Sequence, residues 1–257
     1  MKSTIQFAHA NGFPAKTYNE FFKHLDIYDL KYVPIMGHGE FGISPKWKPL
    51  GQELIANITT HNQTPVIGIG HSMGGAALMY AAHSEPRLFD KIIFLDPPLF
   101  PLRKIRGMNI MRFLGLLDRI GPSGKAKKRK THFESYEAAY QYFKPKKLFH
   151  HFHPNCLKDY VKHGLIPSKD GGLELAFNAK IEYEVFRTMA HIYGKVAFQM
   201  PSYFIYSNQY TVLQPKDIEA LKHKFTNTQF IPFSGGHLFP LEQPKETADL
   251  IKLLIKS

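Results

Sequence analysis

Short apolar runs bounded by turn-forming residues recur along the chain and predict strands. Most of these runs are continuously apolar, without alternating polar residues, which is typical of strands buried on both faces of a parallel sheet. The predicted strands are Thr4–Ala8, Tyr32–Ile35, Val66–Gly70, Lys91–Leu95, Tyr203–Tyr206 and Gln229–Pro232.

Helical segments lie between these runs, and the last of them, Gln243–Lys256, shows the apolar spacing of an amphipathic helix. The predicted helices are Tyr18–Leu25, Lys48–His61, Gly75–Ser84, Pro215–Lys224 and Gln243–Lys256. Because strand and helix alternate, we expect an α/β fold, with a mostly parallel sheet of about six strands and helices on both of its faces.

The alternation of strand and helix stops near Phe100 and resumes near Met200. The interval contains three helical patches separated by turn signals, namely Asn109–Arg119, Tyr136–Phe143 and Lys180–His191. We therefore expect residues 1–100 and 201–257 to form the core of the fold. Residues 101–200 would form an inserted, mainly helical cap.

Charge sets this middle segment apart from the rest of the chain. The net charge is +12, and residues 101–200 contain 19 lysines and arginines against 8 aspartates and glutamates, which is +11. Such a surface attracts an anionic substrate or an anionic membrane, or is simply well solvated. Arg103, Lys104 and Arg106 could hold a carboxylate or phosphate of a substrate. The stretch Gly124–Lys130 (GKAKKRK) predicts a loop, and without interleaved aromatic residues it does not indicate nucleic-acid binding.

Composition narrows the expected location. The single cysteine, Cys156, cannot form a disulfide within the chain, which favours a reducing compartment. The first residues contain no apolar run typical of a signal peptide, and no stretch of about 18 apolar residues predicts a membrane span. We expect a cytoplasmic protein.

The segment Gly70–Gly74 (GHSMG) fits the pattern G-x-S-x-G where a predicted strand meets a predicted helix. A serine at the tip of such a turn is held in a strained conformation, and side chains two positions before and after it would collide. We predict Ser72 as a nucleophile, with the Met73 N–H stabilising an oxyanion and His71 in a supporting role. The alternative is a serine that only caps the helix.

Two further segments supply candidate partners for this serine. His237 lies on the loop after the last predicted strand, at the sheet edge where catalytic groups gather, and is the candidate general base. After the first strand, a tight turn at Asn11 and Gly12 is expected to present backbone N–H groups. The Phe13 N–H would join that of Met73 in an oxyanion hole, with Asn11 as a supporting side chain. A structural histidine and an ordinary turn are the alternatives.

The motifs HANGFPA, GHSMGG and GGHLFPLEQP, in this order along the chain, resemble those of the α/β-hydrolase fold family. The resemblance covers Ile5–Phe100 and Pro201–Ile255 as a core, with a cap between them. Tyr160–Leu175 resembles the return from cap to core in some small bacterial members whose substrates are unassigned. The chain begins on what would be the third strand of the family, which implies a six-stranded sheet without the leading hairpin.

The orienting acid is the part of the triad that the resemblance leaves open. In many family members it follows a late strand, but the corresponding segment here, Ser207–Thr211, has no carboxylate. The nearest ones, Asp217 and Glu219, fall in the next helix. Some members place the acid one strand earlier, where this chain has Asp96. A carboxylate there would hold the histidine in the tautomer that faces the serine. The alternatives are a structural Asp96 or a Ser-His dyad supported by Asn208.

These residues predict a hydrolase that acts on a carboxylic ester or thioester of a small acyl substrate, through a Ser-His-Asp triad and an acyl-enzyme. The alternatives are C–C bond hydrolysis, cofactor-free haloperoxidase-like chemistry, or a catalytically idle binding protein with the same fold. No cofactor is expected. No metal site is expected either, because His150, His151 and His153 lack a further ligand at a defined spacing.

Overall fold

The computed structural model describes residues 2–43, 47–62, 64–188, 195–210 and 212–257. Their strands are β1 (Thr4–Ala8), β2 (Asp29–Tyr32), β3 (Val66–His71), β4 (Phe89–Leu95), β5 (His132–Phe133), β6 (Leu165–Pro167), β7 (Leu173–Leu175), β8 (Ser202–Ser207) and β9 (Thr228–Phe233).

The helices of the described residues are α1 (Asn19–Lys23), α2 (Lys48–His61), α3 (Met73–Ser84), α4 (Leu102–Phe113), α5 (Leu117–Ile120), α6 (Pro122–Lys127), α7 (Tyr136–Phe143), α8 (Pro154–His163), α9 (Ala179–Arg187), α10 (Pro215–Lys222), α11 (Phe239–Glu242) and α12 (Pro244–Lys256). Short 3-10 helices occupy Ala15–Tyr18, Pro86–Leu88 and Lys147–Phe149. Among these, no helix has both the length and the apolar content needed to cross a membrane.

Six strands form one parallel sheet in the order β2-β1-β3-β4-β8-β9. Side chains of β4 alternate between its two faces: Ile93 packs in one apolar cluster with residues of α1, α11 and α12, and Ile92 packs in another with residues of α2, α3 and α10. The predicted parallel sheet with helices on both faces is therefore confirmed. Burial on both faces explains why its inner strands are continuously apolar.

The second strand differs from its prediction. It spans Asp29–Tyr32, whereas the run of apolar residues predicts Tyr32–Ile35. The observed strand lies at the edge of the sheet and all its residues are only partly buried, so its sequence is largely polar. Pro34 has no N–H to give to a sheet, and its carbonyl instead accepts the Ala15 N–H at 3.0 Å.

The segment between β4 and β8 contains helices α4 to α9 and a small antiparallel sheet in the order β5-β7-β6. The sequence did not predict this sheet, because strands of two or three residues leave no periodic signal. The loop predicted at Gly124–Lys130 is wrong in its first half, since α6 extends through Lys127. The division into core and cap at residues 101 and 200 stays a prediction.

Candidate active site

Ser72 lies between the end of β3 and the start of α3 with φ of 52° and ψ of −118°, a conformation that non-glycine residues rarely adopt. A Cβ atom at Gly70 would lie 2.5 Å from the Gly74 carbonyl oxygen, and one at Gly74 would lie 2.1 Å from the Ala8 carbonyl oxygen. Both contacts are with backbone, which cannot move aside. The turn therefore requires the two glycines of the motif, and it packs α3 closely against the end of β1.

Three side chains that are far apart in the sequence form one hydrogen-bonded path at this turn. Ser72 Oγ lies 3.0 Å from His237 Nε2, and His237 Nδ1 lies 2.7 Å from Asp96 Oδ2. The Asp96 side chain is 1% exposed and that of His237 is 21% exposed. Because the carboxylate accepts the Nδ1–H, the Nε2 lone pair is left to accept the hydroxyl proton of Ser72.

Asp96 directly follows β4 and is held by the neighbouring strand. Its Oδ1 accepts the Ser207 N–H at 3.2 Å, a contact that sequence reasoning missed. The other candidates lie elsewhere: Asp217 forms an ion pair with Lys104 at 2.6 Å, and the Asn208 N–H donates to a carbonyl of β9. Asp96 thus contacts His237, whereas Asp217 joins α10 to α4 through its ion pair with Lys104.

The loop that carries His237 is fixed by side chains on both sides of it. Four hydrogen bonds with described side chains hold its backbone: His71 Nε2 to the His237 carbonyl (3.0 Å), Ser207 Oγ to the Gly235 carbonyl (2.6 Å), the Gly236 N–H to Glu242 Oε2 (2.9 Å) and Gln243 Nε2 to the Ser234 carbonyl (2.7 Å). The imidazole therefore sits on a backbone with little freedom to shift.

His71, the residue before the serine, is fully buried and links two parts of the site. Because its Nε2–H donates to the His237 carbonyl, its Nδ1 must accept, and it does so from the Tyr18 hydroxyl at 2.6 Å. The Tyr18 oxygen accepts the Ala10 N–H at 3.3 Å. Burial, reinforced by the nearby His237, lowers the pKa of His71 to about 3, so its imidazole is neutral. Nothing in the sequence distinguishes Tyr18 from the other aromatic residues.

The predicted oxyanion hole needs one correction. The Phe13 N–H donates to the Ala10 carbonyl at 3.1 Å, inside the turn that follows β1, and is therefore not free to bind a substrate oxygen. Within the described part of the chain, the N–H groups of Asn11 and Gly12 have no such partner. The Met73 N–H begins α3, where backbone donors are unpaired. The available donors are thus Met73 and this turn, one or two residues before Phe13.

The Asn11 side chain joins its own turn to α9. Its Nδ2 donates to the Glu182 carbonyl at 3.0 Å. Gly12 has φ of 77°, and a Cβ there would lie 2.6 Å from Glu182 Oε1. Glu182 is itself buried and paired with Arg129 at 2.9 Å, while burial raises the pKa of its carboxyl. The Asn11 side chain therefore holds its own turn against α9, and its supporting role in the site stays a prediction.

Two buried histidines make stability depend on pH. Burial lowers the pKa of His9 to about 4 and that of His71 to about 3, against about 6.5 in an unfolded chain. As pH falls below 6.5 the unfolded state binds protons that the folded state cannot, so the free energy of unfolding decreases. We expect a loss of up to about 4 kcal/mol between pH 7 and pH 5. Urea unfolding followed by the fluorescence of Trp47, the single tryptophan, measures it.

Two variants show where this pH dependence comes from. His9→Gln should flatten the curve, whereas His83→Gln, at an exposed position on α3, should leave its slope unchanged. A free energy of unfolding that stays constant from pH 7 to pH 5 would contradict the neutral, buried state of both imidazoles.

Solved structures of low sequence identity share this fold. E-2-(acetamidomethylene)succinate hydrolase superposes with a TM-score of 0.75 at 14% identity, covering 99% of this chain and 92% of that one. The thioesterase domain from the curacin biosynthetic pathway superposes with a TM-score of 0.72 at 16% identity, covering 98% of this chain and 91% of that one. At such identities the likeness concerns the fold alone.

Sequence similarity leads to the same family. A Mycoplasma pneumoniae protein named "Putative esterase/lipase 3" is 34% identical over 101 residues, which span 37% of each of the two chains. The chain thus matches little more than a third of that relative's length. A sequence model of the alpha/beta hydrolase fold matches residues 52–244, well over half of the chain. The chain belongs to the α/β hydrolase fold family.

Proposed function

We propose that this protein is a serine hydrolase that cleaves carboxylic esters or thioesters. The observation that carries the proposal is the continuous path from Ser72 Oγ through His237 to Asp96, with distances of 3.0 and 2.7 Å. This is the arrangement in which a buried carboxylate orients an imidazole and the imidazole activates a hydroxyl. The strained turn adds support, since it places the half-buried serine at the carboxyl end of the sheet.

In the acylation step, Ser72 Oγ attacks the carbonyl carbon of the substrate while His237 Nε2 takes the hydroxyl proton. The carbonyl oxygen becomes an oxyanion, and the imidazole becomes an imidazolium beside the Asp96 carboxylate. Collapse of the tetrahedral intermediate breaks the bond to the alcohol or thiol. The imidazolium returns its proton to that leaving group, so an acyl-Ser72 ester remains and charge is balanced.

In the second step, water repeats the sequence on the acyl-enzyme. His237 Nε2 takes a proton from water, the hydroxide adds to the acyl carbon, and the imidazolium then protonates the departing Ser72 Oγ. A carboxylic acid is released and the free hydroxyl is restored. Both intermediates place negative charge on the same oxygen, which the N–H groups of Met73 and of the Asn11–Gly12 turn are available to stabilise.

The names of similar proteins agree with this reaction class. One curated relative is named an esterase/lipase and one structural neighbour a thioesterase. Esters and thioesters differ in the leaving atom, oxygen or sulfur, but pass through the same tetrahedral oxyanion. An ester or thioester of a small acyl compound stays the proposed substrate, as the sequence predicts.

Labelling with a fluorophosphonate tests the proposal directly. The reagent phosphonylates a serine only where a neighbouring base activates it, so intact mass should show one adduct and peptide mapping should place it on Ser72. His237→Ala should slow the labelling strongly. A chain that stays unmodified, as a catalytically idle member of the fold would, or one labelled at another residue, overturns the proposal.

A further inference from the structure

Helix α4 exposes a stripe of unusual character. Arg103, Arg106, Ile110 and Phe113 are spaced by three or four residues and therefore share one face of the helix. All four are exposed, whereas Ile105 points into the core and is 2% exposed. The stripe thus carries two arginines in the first half of the helix and two large apolar side chains in the second half.

The apolar end of this stripe continues into the turn between α4 and α5. Exposed apolar side chains with their exposed fractions are Ile110 (60%), Phe113 (90%), Leu114 (59%) and Leu116 (38%). We call these four residues the apolar corner. A phenylalanine that is nine-tenths exposed among three further exposed apolar residues is uncommon on a water-facing surface and marks a place of interaction.

The charge around the apolar corner is almost entirely of one sign. Residues 101–130 contain ten lysines and arginines and a single acidic residue, Asp118. Asp118 is already engaged, since it accepts the Tyr183 hydroxyl at 2.6 Å. Among the basic residues, Lys104 and Arg129 pair with carboxylates, and the other eight have no ion-pair partner among the described residues.

We propose that the apolar corner and the exposed arginines of α4 dock this protein onto an anionic lipid surface. The side chains of Phe113 and its neighbours would enter the region between headgroups and acyl chains, while Arg103 and Arg106 contact lipid phosphates. This proposal goes beyond the hydrolase reaction, because docking requires neither Ser72 nor His237.

The combination of charge and exposure favours a lipid surface over other partners. A helix that lies in a membrane interface combines Phe and Leu on one side with Lys and Arg beside them. Each basic residue near an anionic membrane strengthens binding about fivefold. The eight basic residues without an ion-pair partner among the described residues would therefore strengthen binding substantially. Nucleic acid would use the cations and leave Phe113 in water, and a second copy of this chain would bring the same positive charge against itself.

Vesicle co-sedimentation tests the proposal. The full chain carrying Ser72→Ala is mixed with sucrose-loaded vesicles of phosphatidylcholine alone, or with 30% phosphatidylglycerol, so that hydrolysis does not alter the lipid. We expect at least about tenfold stronger partitioning onto the anionic vesicles, with a marked decrease when salt is raised from about 0.1 to 0.5 M.

Two sets of substitutions separate the apolar contribution to docking from the contribution of charge. Phe113→Ala should weaken partitioning about tenfold or more, and the pair Arg103→Gln and Arg106→Gln about twentyfold. The matched controls lie on α12: Leu253→Ala, where the leucine is 66% exposed, and Lys256→Gln should bind as the parent does. Because the replaced side chains are exposed, all variants should keep the parent's circular dichroism and melting temperature.

Each other outcome overturns the docking proposal. Weak binding to both vesicle types does so, as does anionic binding that Phe113→Ala leaves intact. Binding of a DNA duplex that does not depend on Phe113, with no vesicle binding, assigns the charge to nucleic acid. Dimerisation that is lost in Phe113→Ala, again with no vesicle binding, assigns the apolar corner to a second copy. Failure of fluorophosphonate labelling would leave these binding results unaffected and would concern the hydrolase reaction alone.

Discussion

Replacing Ser72 with alanine is expected to lower kcat/KM for a short 4-nitrophenyl ester by about 10⁵-fold. In the proposed mechanism the hydroxyl oxygen forms the bond to the acyl group, and alanine has no atom that can replace it. The change removes one oxygen atom whose described contact is the His237 imidazole, so the fold should be unaffected. Initial rates at several substrate concentrations, measured on purified protein, give the ratio.

The control for this variant is Ser84→Ala. Ser84 is exposed and lies at the other end of the same helix α3. The control should hydrolyse the ester at the parent rate, and both variants should melt within a few degrees of the parent. If Ser72→Ala keeps more than a tenth of the parent activity, hydrolysis does not pass through an acyl-Ser72 intermediate.

Replacing Asp96 with asparagine is expected to lower kcat about 10⁴-fold with a much smaller change in KM. Asparagine matches the carboxylate in shape but can donate its Nδ2–H to His237 Nδ1. The imidazole then carries its proton on Nε2, which faces Ser72 Oγ and can no longer accept a proton. Loss of the negative charge also removes the partner of the imidazolium. The kcat and KM values for the same ester measure both effects.

Two other substitutions decide between Asp96 and the alternatives that the sequence left open. Asp90→Asn lies at the other end of β4 and is exposed, so it should leave kcat unchanged. Asn208→Ala should cost less than about tenfold, because its described hydrogen bond is made by the backbone. If Asn208→Ala is as damaging as Asp96→Asn, the acid has been assigned to the wrong residue.

Patterns of apolar residues were enough to predict five strands of the central sheet but not the edge strand β2. Four inner strands are buried on both faces, so residues such as those of Val66–His71 form continuous apolar runs. The edge strand Asp29–Tyr32 is half solvated and reads as a polar segment, while the apolar run next to it holds Pro34. Between β4 and β8, elements of two to four residues are decided by packing, which local sequence does not report.

At the site, the sequence pointed to the residues with unusual local geometry and missed those that matter through long-range contacts. Ser72 could be found because its turn forces glycines at fixed positions beside it. Asp96 was a candidate by position, and its contact with His237 is visible only in three dimensions. No local sequence pattern distinguishes Tyr18 or Ser207. The prediction of the Phe13 N–H as an oxyanion-hole donor was wrong, because this N–H donates to a carbonyl within its own turn.

The four side-chain hydrogen bonds around the His237 loop order this loop when the chain folds. The conformational entropy of the loop is therefore lost once, on folding, and not again each time a substrate binds. A histidine on a loose loop would have to be immobilised every time a substrate arrives, and that ordering would add to the activation barrier. Here the loop is ordered once, when Ser207, Glu242, Gln243 and His71 close around it. In the proposed reaction the imidazole is therefore oriented before any substrate binds, because the contacts that hold its loop all lie within the chain.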